Sequence, residues 1–208
     1  MFLYTKEQQA MLAGLQVMLQ DFFGNADPGH GFDHAERVAA RSKHIAGQEQ
    51  ARSVWLCELA GLLHDVGRVP EHLGKAQGRA HHELSYELLQ EWFRTDQIFL
   101  TLTTEEKLEL LYTVRYHGND EANQYDTAWI LRDADKLDML GQVGVDRTIA
   151  SHPGDLDAQN FSLRLRFQAA YYIHTATAKK IIEDEKLFEP IIRYQREILR
   201  QKIKPVSL

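Results

Sequence analysis

Three observations predict an all-α protein. Apolar side chains recur three and four residues apart over most of the chain, residue types that cap helices stand ahead of those stretches, and convincing apolar–polar alternation is missing. Thr5 suits the N-cap of a first helix, which carries Met11, Leu12, Leu15, Met18 and Leu19 at helical spacing. Residues 24–31 (G-N-A-D-P-G-H-G) are a loop by composition. Asp33 stands where an N-cap is expected ahead of H-A-E-R-V-A-A-R-S-K-H-I-A. Ser53 opens V-W-L-C-E-L-A-G-L-L-H-D, and residues 67–79, rich in glycine and basic side chains, read as a loop. Residues 80–94 form an amphipathic helix. Thr104, with Glu105 and Glu106, starts a helix ending at Tyr116-His117-Gly118, where Gly118 suits a C-terminal cap. Thr127 opens the next, through W-I-L-R-D-A-D-K-L-D-M-L, and a loop at S-H-P-G-D follows. The tail from about Phe161 to Lys204 is helical, and F-L-T-L-T at 99–103 is a lone, short strand candidate. Trp55, Trp92 and Trp129 sit in apolar helical settings and read as core.

At 208 residues, 44% hydrophobic and 26% charged, the chain has the make-up of an ordinary soluble globular protein and reads as one domain without repeats. No apolar run approaches the ~20 residues a membrane span needs. The opening M-F-L-Y-T-K-E-Q-Q lacks a basic region followed by an apolar core, so no signal peptide is expected. The single cysteine, Cys57, excludes an internal disulfide and a Cys-rich zinc site, which points to a reducing cytoplasm. The net charge of −6 argues against non-specific nucleic-acid binding, which rests on basic patches. A bound cation can still make room for phosphates locally. Histidine is the unusual component, with ten residues, several close to acidic ones.

The stretch G-L-L-H-D-V-G-R (61–68) sharpens this. An apolar run delivers His64 and Asp65 side by side, and burying both unpaired would cost a few kcal/mol. Four further places put His or Asp at a helix end or beside an apolar stripe: His34 in G-F-D-H-A-E-R-V, the pair His81-His82, His117 in R-Y-H-G, and the acidic cluster L-R-D-A-D-K-L-D. Imidazoles with carboxylates suit Zn, Mn, Fe, Ni or Co rather than Ca, which prefers oxygen ligands. A cation shared by these groups would satisfy the doublet.

Residues 30 to about 141 resemble the HD superfamily of metal-dependent phosphohydrolases. H-G-F-D-H-A-E-R-V is similar to that family's first motif, L-L-H-D-V-G-R to its second and D-A-D-K-L-D to its last. The chain looks most like the small stand-alone bacterial members. The resemblance implies an HD-domain helical bundle: a motif-bearing core over about 28–141 and a helical extension over about 142–208 packed on it, in a single domain. It implies His34, His64, Asp65 and Asp135 as ligands of one metal. Binuclear members add two histidines between the doublet and the last aspartate, with the doublet Asp bridging. His81 and His117 occupy such places, and the spacing in H-H-E-L-S-Y-E-L-L favours His81 over His82. On a helical wheel at about 100° per residue, Asp133 and Asp138 flank the apolar face of their segment more closely than Asp135 does. Periodicity therefore leaves Asp133 open, and the family's Ala-Asp pattern selects Asp135.

The resemblance further implies one or two divalent ions (Mn, Fe, Ni, Co, Zn or Mg) and hydrolysis of a phosphate ester or anhydride by metal-activated water. The substrate would be a nucleotide or related small phosphate compound. Charge building on phosphoryl oxygens needs cations, and the candidates are Arg37, Arg68, Lys75, Arg79 and Lys136, with Asp65 at the centre of the chemistry. Glu83 and Asp138 are candidates to orient imidazoles. The competing expectations are a non-catalytic sensor that binds metal or nucleotide, and a closed structural metal site. A homodimer is expected only as the commonest oligomer.

Overall fold

The computed structural model describes residues 4–24 and 31–203, and among these it is helical without a strand. The loop expected at 24–31 lies largely outside the described residues, as does the end of the tail at Lys204. The chain forms two compact units, Met1–Ala134 and Asp135–Leu208. No helix among the described residues is long and apolar enough to cross a membrane.

The first unit begins with α1 (Lys6–Phe23), opened by a reciprocal cap: Thr5 accepts from the Gln8 N–H while the Gln8 side chain accepts from the Thr5 N–H. Its inward face is Met11, Leu15, Leu19 and Phe23. Helix α2 (Phe32–Gln48) starts from Gly31 instead of Asp33. Asp33 lies in the first turn, where its charge still faces the positive end of the helix. Helix α3 (Val54–Leu63) is capped by Ser53, which accepts from the Leu56 N–H.

The short connection between α2 and α3 makes an antiparallel pair, and Gly61 sets how closely the two approach. A Cβ at Gly61 would lie 2.4 Å from the Ala39 Cα, so only a hydrogen fits. That closeness brings the N-terminal turn of α2, with His34, against the C-terminal end of α3, with His64.

The expected loop at 67–79 contains one short helix, α4 (Arg68–His72). Pro70 sits in its first turn, where the missing N–H has no partner to lose. Helix α5 (His81–Thr95) follows, then a single 3₁₀ turn at Gln97–Phe99 where the strand candidate was. Phe99 and Leu102 turn inward while Leu100 is 70% exposed and Thr101 is also exposed, a spacing of three that suits a turn and not a strand. Helix α6 (Thr104–Arg115) is capped by Thr103 and ends at Tyr116, and Gly118 does not take the left-handed cap conformation expected of it. Helix α7 (Asp126–Asp138) starts one residue before Thr127 and runs from the first unit into the second. Of the tryptophans, Trp55 is buried and Trp92 and Trp129 are half-buried, Trp92 stacking on Phe99.

A buried carboxylate ties the first unit together. Glu109 accepts from Arg52 and from the Thr127 hydroxyl, and the Arg52 N–H donates to Asp126 at 2.7 Å. The starts of α3 and α7 are thereby pinned to α6.

The second unit holds α8 (Gly141–Ser151), α9 (Leu156–Ala170), α10 (Ala176–Asp184) and α11 (Phe188–Ile203). Helix α8 was not anticipated. It is started by Gly141, at φ +66°, whose N–H donates to the Leu187 carbonyl at 2.9 Å. Gly144 packs so near the Met139 carbonyl that a Cβ would lie 2.0 Å from that oxygen. Asp138 is buried against Arg147 at 3.0 Å.

Candidate metal centre

Four histidines converge on one carboxylate in the first unit. His34 comes from the first turn of α2, His64 from the C-cap of α3, His81 from the first residue of α5, and His117 from just beyond α6. Asp65 follows His64 directly, and its two oxygens face different pairs. Oδ2 lies 3.7 Å from the Nε2 atoms of both His34 and His64. Oδ1 lies 3.4 Å from His81 Nε2 and 3.7 Å from His117 Nε2. These spacings are long for hydrogen bonds. Neighbouring ligands of one cation lie roughly 3.0–3.4 Å apart for bonds of about 2.1 Å; the His81 spacing falls at the top of that range and the other three lie a few tenths of an ångström beyond it. His81 and His117 also face each other, Nε2 to Nε2, at 3.3 Å.

The backbone fixes which nitrogen of two rings is free to ligate. His64 Nδ1 is 2.9 Å from the Gly61 carbonyl, and His117 Nδ1 is 2.7 Å from the Val114 carbonyl. A carbonyl only accepts, so each Nδ1 carries the hydrogen and each Nε2 presents a lone pair toward Asp65. In both cases the acceptor lies three residues back, at the fraying end of a helix whose last carbonyls need donors.

His34, His64, Asp65 and His117 are each under 8% exposed. Asp65 Oδ1 is buried with no hydrogen-bond partner. Burial pushes the Asp65 carboxyl up, but the imidazoles of His64 and His117, the Arg68 guanidinium and His34 outweigh it and hold the group below the usual carboxylate range. Burial lowers His81 to about 3, against the pull of Asp65, so its ring is neutral near neutral pH. A buried carboxylate oxygen without a donor, facing the imidazoles of His81 and His117, fits a divalent cation: Asp65, His81 and His117 offer ligand atoms all within 4.8 Å of one another.

Gly67 is what brings α5 to Asp65. Its N–H donates to the buried Ser85 hydroxyl at 2.8 Å, and a Cβ would lie 2.0 Å from the His81 carbonyl. Its φ is −68°, so glycine serves close approach here and not an unusual backbone angle. Ser85, one helical turn after His81, was not singled out from the sequence, nor were the two carbonyls that orient the rings. The H-H-E-L-S run could have signalled Ser85, but backbone acceptors leave no residue-type signal.

The remaining candidates fall in different places. His82 packs its ring edge-on to His81 and His117, whereas His81 faces Asp65. Arg68 Nε is 3.6 Å from Asp65 Oδ2 and its guanidinium also pairs with Glu71. Arg37 lines a groove with Lys43 and Glu58, Lys75 is exposed on the loop after α4, and Arg79 pairs with Glu87. Glu83 binds Arg115 at 3.1 Å. In α7, Asp133 is buried in the first unit, and Asp135 is half-buried as the first residue of the second unit. Lys136 reaches the Tyr172 carbonyl and ring within that second unit.

A family model described as HD domain matches residues 31–140. The chain is similar to a solved structure described as a predicted HD superfamily hydrolase from an uncultured Thermotogales bacterium, at 25% identity and TM-score 0.66, over 91% of this chain and 92% of that one. It is similar in fold to Bacillus subtilis YpgQ in complex with ADP, at 18% identity and TM-score 0.68, over 97% and 100% of the two chains. An HD-superfamily hydrolase from Bacillus thuringiensis shares the fold at 20% identity and TM-score 0.67, over 95% and 100%. Among curated proteins, none matches the chain.

Proposed function

Because the chain belongs to the HD domain family, we propose that it is a metal-dependent phosphohydrolase acting on a nucleotide or a related small phosphate compound, with two cation positions bridged by Asp65. The carrying observation is the division of labour at that carboxylate, Oδ2 toward His34 and His64 and Oδ1 toward His81 and His117. His34, His64 and Asp65 would hold the first ion, with Asp135 put forward as its last ligand on the strength of the A-D-K-L motif. Asp65, His81 and His117 would hold the second. A divalent cation at such a centre would lower the pKa of a coordinated water and polarise phosphoryl oxygens.

The chain's own residues do the rest. The Gly61 and Val114 carbonyls hold His64 and His117 in the ligating tautomer. Arg68, beside Asp65 and a quarter exposed at its side chain, would meet a phosphate oxygen as charge develops. Lys75, Arg37 and Lys136 are assigned to secondary phosphate contacts. The presence of ADP in the YpgQ structure supports a nucleotide as the substrate class.

The test is phosphate release over nucleoside mono-, di- and triphosphates and cyclic dinucleotides, with Mn, Ni, Co, Zn, Fe or Mg added. Activity that chelation abolishes and that His64→Ala lacks is the expected result. Full metal occupancy without turnover on any of these would favour the sensor reading instead.

A further inference from the structure

We propose that Tyr86, Arg115 and Tyr116 form a stacking platform for the base of a nucleotide whose phosphates lie at Asp65. The position of those phosphates rests on the function proposed above; the platform rests on its own geometry. His82 leads from one to the other. Its ring lies edge-on to the rings of His81, at 5.4 Å, and His117, at 6.2 Å. Tyr86 is one helical turn further along α5 on the same face. The Arg115 guanidinium lies 4.7 Å from the centroid of the Tyr86 ring and 5.6 Å from that of Tyr116. Tyr116 immediately precedes His117, so both ends of the row start from residues next to the imidazole pair.

Charge decides what such a row receives. Arg115 Nε donates to Glu83 at 3.1 Å, so the cation is already offset by a carboxylate and is poorly suited to anchoring a phosphate. The same bond holds the guanidinium in a fixed plane while its side chain stays 36% exposed. A planar, charge-compensated guanidinium that lies over two tyrosine rings and stays partly exposed suits an uncharged aromatic ring. Every nucleobase has a π-face for such a platform, and stacking of this kind is tolerant of base identity. A half-exposed pair like Arg115–Glu83 contributes little to stability, so fold alone gives little reason for the arrangement.

The test is calorimetric titration of the Mn-loaded full chain with ADP and with inorganic pyrophosphate. Wild type should bind ADP at least tenfold more tightly than pyrophosphate. The Tyr86→Leu/Tyr116→Leu variant should lose at least tenfold for ADP and less than twofold for pyrophosphate, and Tyr86→Phe/Tyr116→Phe should restore ADP affinity. Equal affinity of wild type for the two ligands, or an equal loss for both in the Leu variant, overturns the platform. Turnover of ADP and ATP is followed in parallel. Tight ADP binding with the predicted Leu and Phe effects but without turnover would remove the hydrolase reading and leave the platform standing.

Discussion

At the scale of single residues, the centre depends on one carboxylate placed among four imidazoles. That His34, His81 and His117 would gather at the doublet His64-Asp65 was expected from the resemblance of their motifs to a known family, and the four imidazoles do converge there. Their division between two oxygens was not legible, since it depends on where α2 and α5 start and where α3 and α6 end. Nor did periodicity decide between Asp133 and Asp135, because both sit on a helix whose faces are set by its neighbours. Burial holds His81 at about 3 against about 6.5 for an unhindered imidazole. A histidine depressed in the folded state stabilises above its unfolded pKa, and that stability is lost as pH falls toward its folded value. The metal-free protein should therefore lose stability between about pH 6.5 and 3. His81→Gln should flatten that slope by up to about one proton in denaturant titrations across that range.

At the scale of elements, two glycines set the geometry of the site. Gly61 admits the Ala39 backbone and so joins His34 to His64; Gly67 admits the His81 carbonyl and so joins Asp65 to α5. In the sequence Gly67 reads as the start of a loop and Gly61 has no assigned role, because close packing against a distant helix has no local signature. Gly67→Ala should cost about 1–3 kcal/mol by overpacking, measured by urea unfolding, and should weaken metal binding more than a surface Gly74→Ala does. The helix starts at Thr5, Ser53 and Thr104 were readable because capping is local chemistry. The 3₁₀ turn at Gln97–Phe99 was not, since so short an apolar run carries no periodicity that separates a turn from a strand. The clamp on Glu109 was equally hidden. Arg52→Ala should cost about 1–3 kcal/mol, as expected for removing the charged partner of a buried carboxylate, with the loss visible in thermal unfolding at low and high salt alike.

At the scale of the whole molecule, the all-α class was readable throughout, because helical spacing persists along the chain; the boundary between the two compact units falls inside α7, between Ala134 and Asp135, where the pattern shows no break. The net charge of −6 leaves the chain without a general attraction for phosphates, so the proposed substrate would need cations supplied by a bound metal and a few basic side chains. Folding and metal binding are then linked. At a metal concentration one hundred times Kd the folded state gains about 2.7 kcal/mol, and chelation should lower Tm by roughly 5–10 °C for a chain of this size. The most direct test of the account is the number of metal ions per chain, measured by elemental analysis after Mn loading and desalting. The account predicts two ions in the wild type, one in His81→Ala and none in Asp65→Asn. Retention of two ions by Asp65→Asn, in a folded protein, would contradict it.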